Sequence, residues 1–159
     1  TTYKQYLVDI EVDGKHVELE FYDTSFADAE LNPDQIRQLS YDDAHVVVIC
    51  FGIDSPDSIS NLEHRWKPEV RHFCPGIPII LVGCKSDLRY DPKTISELKK
   101  TKQAPVTHEE AMAASMKIGA MMYLECSSLT SAGVREIFQN ATRAALQQSK
   151  PQRPKLTGL

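Results

Sequence analysis

Hydrophobic and polar positions alternate loosely from Tyr6 to Val12, stop at Asp13-Gly14, and resume from Val17 to Tyr22. Two such runs across an Asp-Gly pair predict a β-hairpin. Asp23 to Asn32 is polar and runs into Pro33, which reads as a loop, and Asp34 to Ser40 has the makings of a short helix. Val46 to Phe51 is a continuous β-branched run, the pattern of a strand buried on both faces. Ile59, Leu62, Trp66, Val70 and Phe73 then recur at helical spacing, with Ser55 placed to cap and Pro56 to be the first helical residue, and Pro75-Gly76 ends the pattern. Ile77 to Val82 predicts a second buried strand, and Pro92 to Lys100 a short, charged, exposed helix. Thr107 and Glu110 have capping-box spacing before a helix that runs to Ile118 and stops at Gly119. Met122 to Cys126 is a third short strand. Gly133 to Gln148 is a last helix with Val134, Ile137, Phe138, Ala141, Ala144 and Ala145 on one face. Pro151 to Leu159 is a basic, Pro-containing tail expected to be disordered.

A hairpin followed by strand–helix alternation predicts an α/β fold with a doubly wound parallel sheet. In such sheets ligands sit outside the carboxyl ends of the strands. The chemistry is therefore expected after Asp23, after Gly52, at Cys84 to Asp87, and at Cys126 to Leu129.

Composition narrows the field. At 159 residues the chain is one domain able to bury a core without disulfides or metal. A net charge of −4 gives no bulk basic footprint for nucleic acid. No apolar run approaches a membrane span, and no secretory signal is visible, so a cytoplasmic location is expected. Cys50, Cys74, Cys84 and Cys126 contain no CxxC pair and read as reduced, buried thiols. His16, His45, His64, His72 and His108 are scattered, and no nucleophile–base pair emerges that would support an unrelated α/β enzyme. The chain opens Thr1-Thr2-Tyr3 without an initiator Met, which reads as a segment of something longer or a processed form.

"ILVGCKSDLR", Ile80 to Arg89, sets Lys85 and Asp87 at the end of a buried run. A carboxylate accepts two parallel N–H bonds from a planar donor pair, which guanine offers and adenine lacks. A lysine two positions earlier can lay its stem along the base. The same spacing also suits a strand that simply leaves the core into a charged turn.

Longer stretches resolve that choice by resemblance. "GCKSDL" with the later "ECSS" resembles the NKxD and SAK guanine-specificity motifs of small GTPases, and "DTS" at Asp23 resembles their DTAG motif. "YLVDIEVDGKHVELEFYDT", "LSYDDAHVVVICFGIDSPDSISN", "RWKPEVRHFCPGIPIILVG" and "GVREIFQNATRAAL" resemble segments of the Rho family. "DLRYDPKTISELKKTKQAPVTHEEA" resembles the additional exposed helix of that family. The likeness spans Thr1 to Gln148, apart from Asp23 to Gln38. It implies a Ras-like fold whose mostly parallel sheet carries an antiparallel edge hairpin. It also implies a Rho-like domain over residues 1–149, N-terminally incomplete, and a flexible basic tail over 150–159. Lys85 and Asp87 would read the guanine. The amides of Ser127 and Ser128 would approach its oxygen. Thr1 and Asp23 would hold Mg²⁺, and Tyr3 to Tyr6 would begin the effector-contact segment. GTP or GDP with Mg²⁺ would be the ligands. The implied activity is a guanine-nucleotide switch acting on actin, polarity or cell-wall pathways. Exchange factors, GTPase activators, dissociation inhibitors and effectors would be its partners.

The sequence also departs from the family. The P-loop pattern G-x-x-x-x-G-K-[ST] is absent from the chain. Phe26 stands where DTAG has Gly, Ala27 where the water-orienting Gln stands, Cys84 where most members have Asn, and Leu129 where a Lys flanks the base. No catalytic residue is therefore assigned, and nucleotide binding and hydrolysis are expected to be impaired in this chain. The alternative is a pseudo-GTPase that serves as a nucleotide-independent interaction module. Leu156 occupies the place of a prenylated Cys, so peripheral attachment to the inner plasma membrane would require a lipidated C-terminus beyond Leu159.

In the resembled fold the absent segment carries the central strand, between Val17–Tyr22 and Val46–Phe51. Strands lie about 4.8 Å apart, so a missing strand leaves a gap of about 10 Å and unpaired backbone on both sides. Three arrangements are expected from that cost. A longer parent protein supplies the strand, the two neighbours close up directly, or another segment takes its place. An ordered sheet with an open position would contradict the argument.

Overall fold

The computed structural model describes residues 4–24 and 40–148. The expected helix at Asp34 to Ser40 and the basic tail lie mostly or wholly outside those residues, as do Phe26 and Ala27.

The hairpin forms as β1 (Lys4–Val12) and β2 (Lys15–Asp23), paired antiparallel with Val12 opposite Lys15. Asp13 and Gly14 have φ of 52° and 76°, the positive values that a two-residue turn matching strand twist demands. Tyr6 stacks on Phe21 across the pair at 4.9 Å.

Three parallel strands form a second sheet in the order β3 (Val47–Gly52), β4 (Ile79–Cys84), β5 (Met122–Glu125). Between β3 and β4 runs a helical stretch with α1 (Asp57–Asn61), a π-helical turn (Leu62–Trp66) and α2 (Lys67–Phe73). The helix α3 (Pro92–Lys99) leaves no residue buried, as its charge pattern predicts, and Asp91 caps it by accepting from the Thr94 amide. α4 (His108–Ile118) carries the full capping box between Thr107 and Glu110 and ends at Gly119 with φ 70°. α5 is Val134–Gln147. The expected cap at the first of these helices fails: Pro56 occupies the cap position, and no side chain caps the helix.

Alternation along β4 divides the core. Ile79 and Leu81 join Ile49, Phe51, Leu62, Val70 and Ile118 on one face. Ile80 and Val82 pack on the other face against Ala141 and Ala144 of α5. β3 is not buried on both faces as its β-branched run suggested. Ile49 and Phe51 are buried, whereas Val48 is 39% exposed and Cys50 is exposed. A continuous apolar run reports strand propensity but not whether a neighbour covers each face.

The sheet is divided. β2 and β3 are not paired, and among the described residues no strand lies against the outer edge of either. Direct closure is therefore not what happens, and no described segment takes the central position. A strand supplied from outside the described residues is the arrangement that these two observations leave. Each edge strand is anchored elsewhere: β3 through Ile49 and Phe51 in the core, the hairpin through α5. Phe21 meets Phe138 of α5 at 5.6 Å, and Arg143 of α5 donates two hydrogen bonds to Asp13 at 2.8 and 3.0 Å.

Candidate functional site: the loops after β4 and β5

β4 ends at Cys84, and the ladder to the β5 side is interrupted by one residue. The Cys126 amide donates to Gly83 O at 2.9 Å, but it is the Ser86 amide that donates to Cys126 O at 3.0 Å. Lys85 is the extra residue and sits in the left-handed region with φ 60°. An inserted residue of this kind re-aims the chain. Here it turns the backbone from strand into the one-turn 3₁₀ helix Ser86–Leu88, which contains Asp87.

Asp87 meets the β5 loop. The Ser127 hydroxyl donates to Asp87 Oδ1 at 2.6 Å and accepts from the Thr130 amide at 3.2 Å. Ser127 is fully buried, so this hydroxyl is committed on both sides. Its amide is committed too, donating to Ala132 O at 2.9 Å. Of the two serine amides assigned to a guanine oxygen, that of Ser127 is spent within its own loop. Ser128 is exposed beside it. Gly133 closes the loop with φ 74°; a Cβ there would lie 2.1 Å from Glu125 O, so only glycine lets α5 start this close to β5.

Lys85 is exposed, and its Nζ donates to Asp54 Oδ2 at 3.2 Å. Sequence reasoning missed Asp54. The available signal was its place two residues past the carboxyl end of β3, where a ligand site was already expected. Its other oxygen, Oδ1, is buried with no partner.

A second polar cluster braces the same strand ends. Arg89 holds Glu125 through both guanidinium amines and donates through Nε to Val106 O at 2.9 Å. Tyr123 donates its hydroxyl to Glu125 as well. The Arg89 bonds hold the Glu125 carboxyl below its ordinary value, and burial beside that carboxylate raises the Tyr123 phenol.

Of the two predicted magnesium residues, Asp23 alone lies among the described residues. Asp23 ends β2, and its charge is felt at the Cys50 thiol of β3, so the two sheets approach there. Thr1 lies outside the described residues. Among the described residues no group of three or more His, Cys, Asp or Glu side chains could hold a metal ion.

The donor and acceptor set fits a guanine ring. Asp87 offers a carboxylate whose Oδ1 keeps a second lone pair and whose Oδ2 takes no bond from the described residues. For a magnesium triphosphate, the described residues contribute Asp23 alone of the two predicted contacts, and the given sequence carries no P-loop pattern.

The model of the Ras family matches residues 1–147. The chain is 54% identical over 151 residues to the GTP-binding protein rho1 of Schizosaccharomyces pombe, covering 95% of this chain and 73% of that protein. It is 50% identical over 151 residues to the GTP-binding protein rho5 of the same yeast, covering 95% and 74%. Within the Ras class, the chain belongs to the Rho family of small GTPases. Among the described residues no helix is long and apolar enough to cross a membrane.

Proposed function

We propose that the chain is a Rho-type switch protein whose described residues supply the base-reading half of a guanine-nucleotide site and not the phosphate-holding half. The observation that carries this reading is the 2.6 Å hydrogen bond that sets Asp87 against Ser127 at the carboxyl ends of adjacent strands. Asp87 would accept the ring N–H and exocyclic amine of guanine, with Lys85 flanking the base and the Ser128 amide facing its oxygen. Any strand that completes the sheet between β2 and β3, and any phosphate grip, would come from outside the described residues. Bound nucleotide would supply the phosphate charge that a switch responds to; Asp23 and Thr1 would be its magnesium contacts. Exchange factors, activators, dissociation inhibitors and effectors are the partners that the family implies, and the exposed Tyr6, Leu7 and Val8 of β1 offer them an apolar strand surface.

The test is an amide NMR titration of the chain with GMP and with AMP. GMP is expected to shift resonances of Lys85 to Leu88 and Ser127 to Thr130, AMP is not, and Asp87→Ala removes the difference. Leaving a carboxylate unpaired costs about 1–3 kcal/mol, so selectivity of roughly tenfold or more is expected. Equal responses to both nucleotides would overturn the assignment.

A second reading, a nucleotide-independent interaction module, draws on Leu129. It stands where the resembled SAK motif has Lys and is 81% exposed. On that reading, partner binding is unchanged by guanine nucleotide, whereas a switch shows affinities that differ between GDP and GTP.

A further inference from the structure

Three thiols line one region of the parallel sheet: Cys50 on β3, Cys84 at the end of β4, and Cys126 just past β5. Cys84 and Cys126 are both half-buried, and their sulfurs lie 4.0 Å apart, with the Cys126 thiol directed at Cys84 Sγ. The sequence predicted reduced, buried thiols. Only Cys74 fits that description; it is buried and interacts with Tyr41 O at 3.6 Å.

Strand register decides which of the three can be joined. Gly83 pairs with Glu125, and the Cys126 amide bonds Gly83 O, so Cys84 and Cys126 stand opposite each other on adjacent strands. Adjacent strands are about 4.8 Å apart, inside the ~4.4–6.8 Å between Cα atoms that a disulfide accepts. Cys50 pairs with Val82, two positions before Cys84, which makes Cys50 and Cys84 a diagonal pair. A diagonal separation of about 8 Å exceeds the ~7 Å limit for bridging without backbone movement.

We propose that Cys84 and Cys126 are a redox-responsive thiol pair, which a hydroperoxide converts to a disulfide at the root of the two loops that carry Asp87 and Ser127. The first sulfur, as thiolate, attacks the O–O bond; that bond breaks, an alcohol leaves, and a sulfenic acid remains. The second sulfur attacks the sulfenic sulfur, the S–S bond forms, and the displaced hydroxide leaves as water. Two thiols together lose two electrons and two protons, and the hydroperoxide is reduced to alcohol and water. The sulfurs close from 4.0 Å to the ~2.05 Å of a disulfide, so the strand ends that set the Asp87–Ser127 contact are tied together. Burial pushes the Cys126 thiol up to about 11, and the hydrogen bond with Cys50, together with burial, raises Cys84, so the reaction is slow at neutral pH and speeds up as pH rises. Cys50 is exposed, and its thiol is lowered by the hydrogen bond with Cys84, so it is the competing site of attack. Its position permits a sulfenic acid or a mixed disulfide with a small thiol, not a bridge. None of this depends on the guanine assignment.

The test is disulfide mapping of the intact chain after hydrogen peroxide, with remaining thiols blocked by N-ethylmaleimide and the digest made with trypsin under non-reducing conditions. Peptide 72–85 joined to peptide 118–135, released by dithiothreitol, is the expected product. Because 72–85 also contains Cys74, the link is expected to persist in Cys74→Ser and to vanish in Cys126→Ser. A link that joins Cys50, in peptide 38–65, to either partner would overturn the proposal. So would Cys84 and Cys126 that remain fully alkylatable while Cys50 is oxidised.

Discussion

Ser127 shows how one side chain can join two loops. Its hydroxyl is buried between the Asp87 carboxylate and the Thr130 amide, so removing it strands a carboxylate oxygen and a backbone donor together. Ser127→Ala is expected to lower stability by about 1–3 kcal/mol, read as a fall in urea midpoint at unchanged slope. An unchanged midpoint would mean that water replaces the hydroxyl. Gly133→Ala forces a methyl against Glu125 O at a left-handed backbone position, and a loss of more than ~1 kcal/mol in the same assay is expected. Asp87 and Lys85 stood out in the sequence as candidates because residue type and position after a strand narrow the chemistry to a few options, and Ser127 entered by resemblance. Asp54 did not stand out, because its value comes from Lys85 across a loop, a contact between residues far apart in the chain. The committed Ser127 amide was equally invisible, since only the loop's path brings Ala132 O to it.

At the level of elements, local signals held where they are complete within a few residues. The Asp-Gly turn and the Thr107–Glu110 capping box both formed as read. Thr107→Ala is expected to cost ~1 kcal/mol, measured by thermal or urea unfolding. The Ser55 cap failed, and the π-helical turn at Leu62–Trp66 carries no mark in an apolar spacing that serves a regular helix nearly as well. Burial of β3 was misjudged because it depends on what lies beside the strand. The brace between Arg89, just past the 3₁₀ turn after β4, and Glu125 of β5 gives a pH prediction. Arg89 holds Glu125 below its ordinary 4.5, so the stabilisation is complete above about that pH and is lost as pH falls through the lower folded-state value. In a series of urea midpoints, wild type exceeds Arg89→Met at neutral pH, and the difference narrows on acidification. A difference independent of pH down to complete acid unfolding would assign the role of Arg89 to packing alone.

Across the whole molecule, two sheets share one helix. The hairpin is tied to α5 by Phe21–Phe138 and Arg143–Asp13, and the parallel sheet presses its own face on the same helix through Ile80 and Val82. The α/β class followed from the alternation of patterns along the chain. The division of the sheet did not, because strand pairing is decided by partners far away in sequence. Membership of the Rho family brings a question of affinity rather than of fold. Nanomolar binding corresponds to about −12 kcal/mol, and each ~1.4 kcal/mol lost weakens it tenfold. On the proposed reading, base contacts alone would supply little of that free energy. The most direct measurement is calorimetric titration of the purified 159-residue chain with GTP in the presence of Mg²⁺. Binding weaker than about micromolar is the expected result, and a nanomolar dissociation constant would contradict the separation of base reading from phosphate holding.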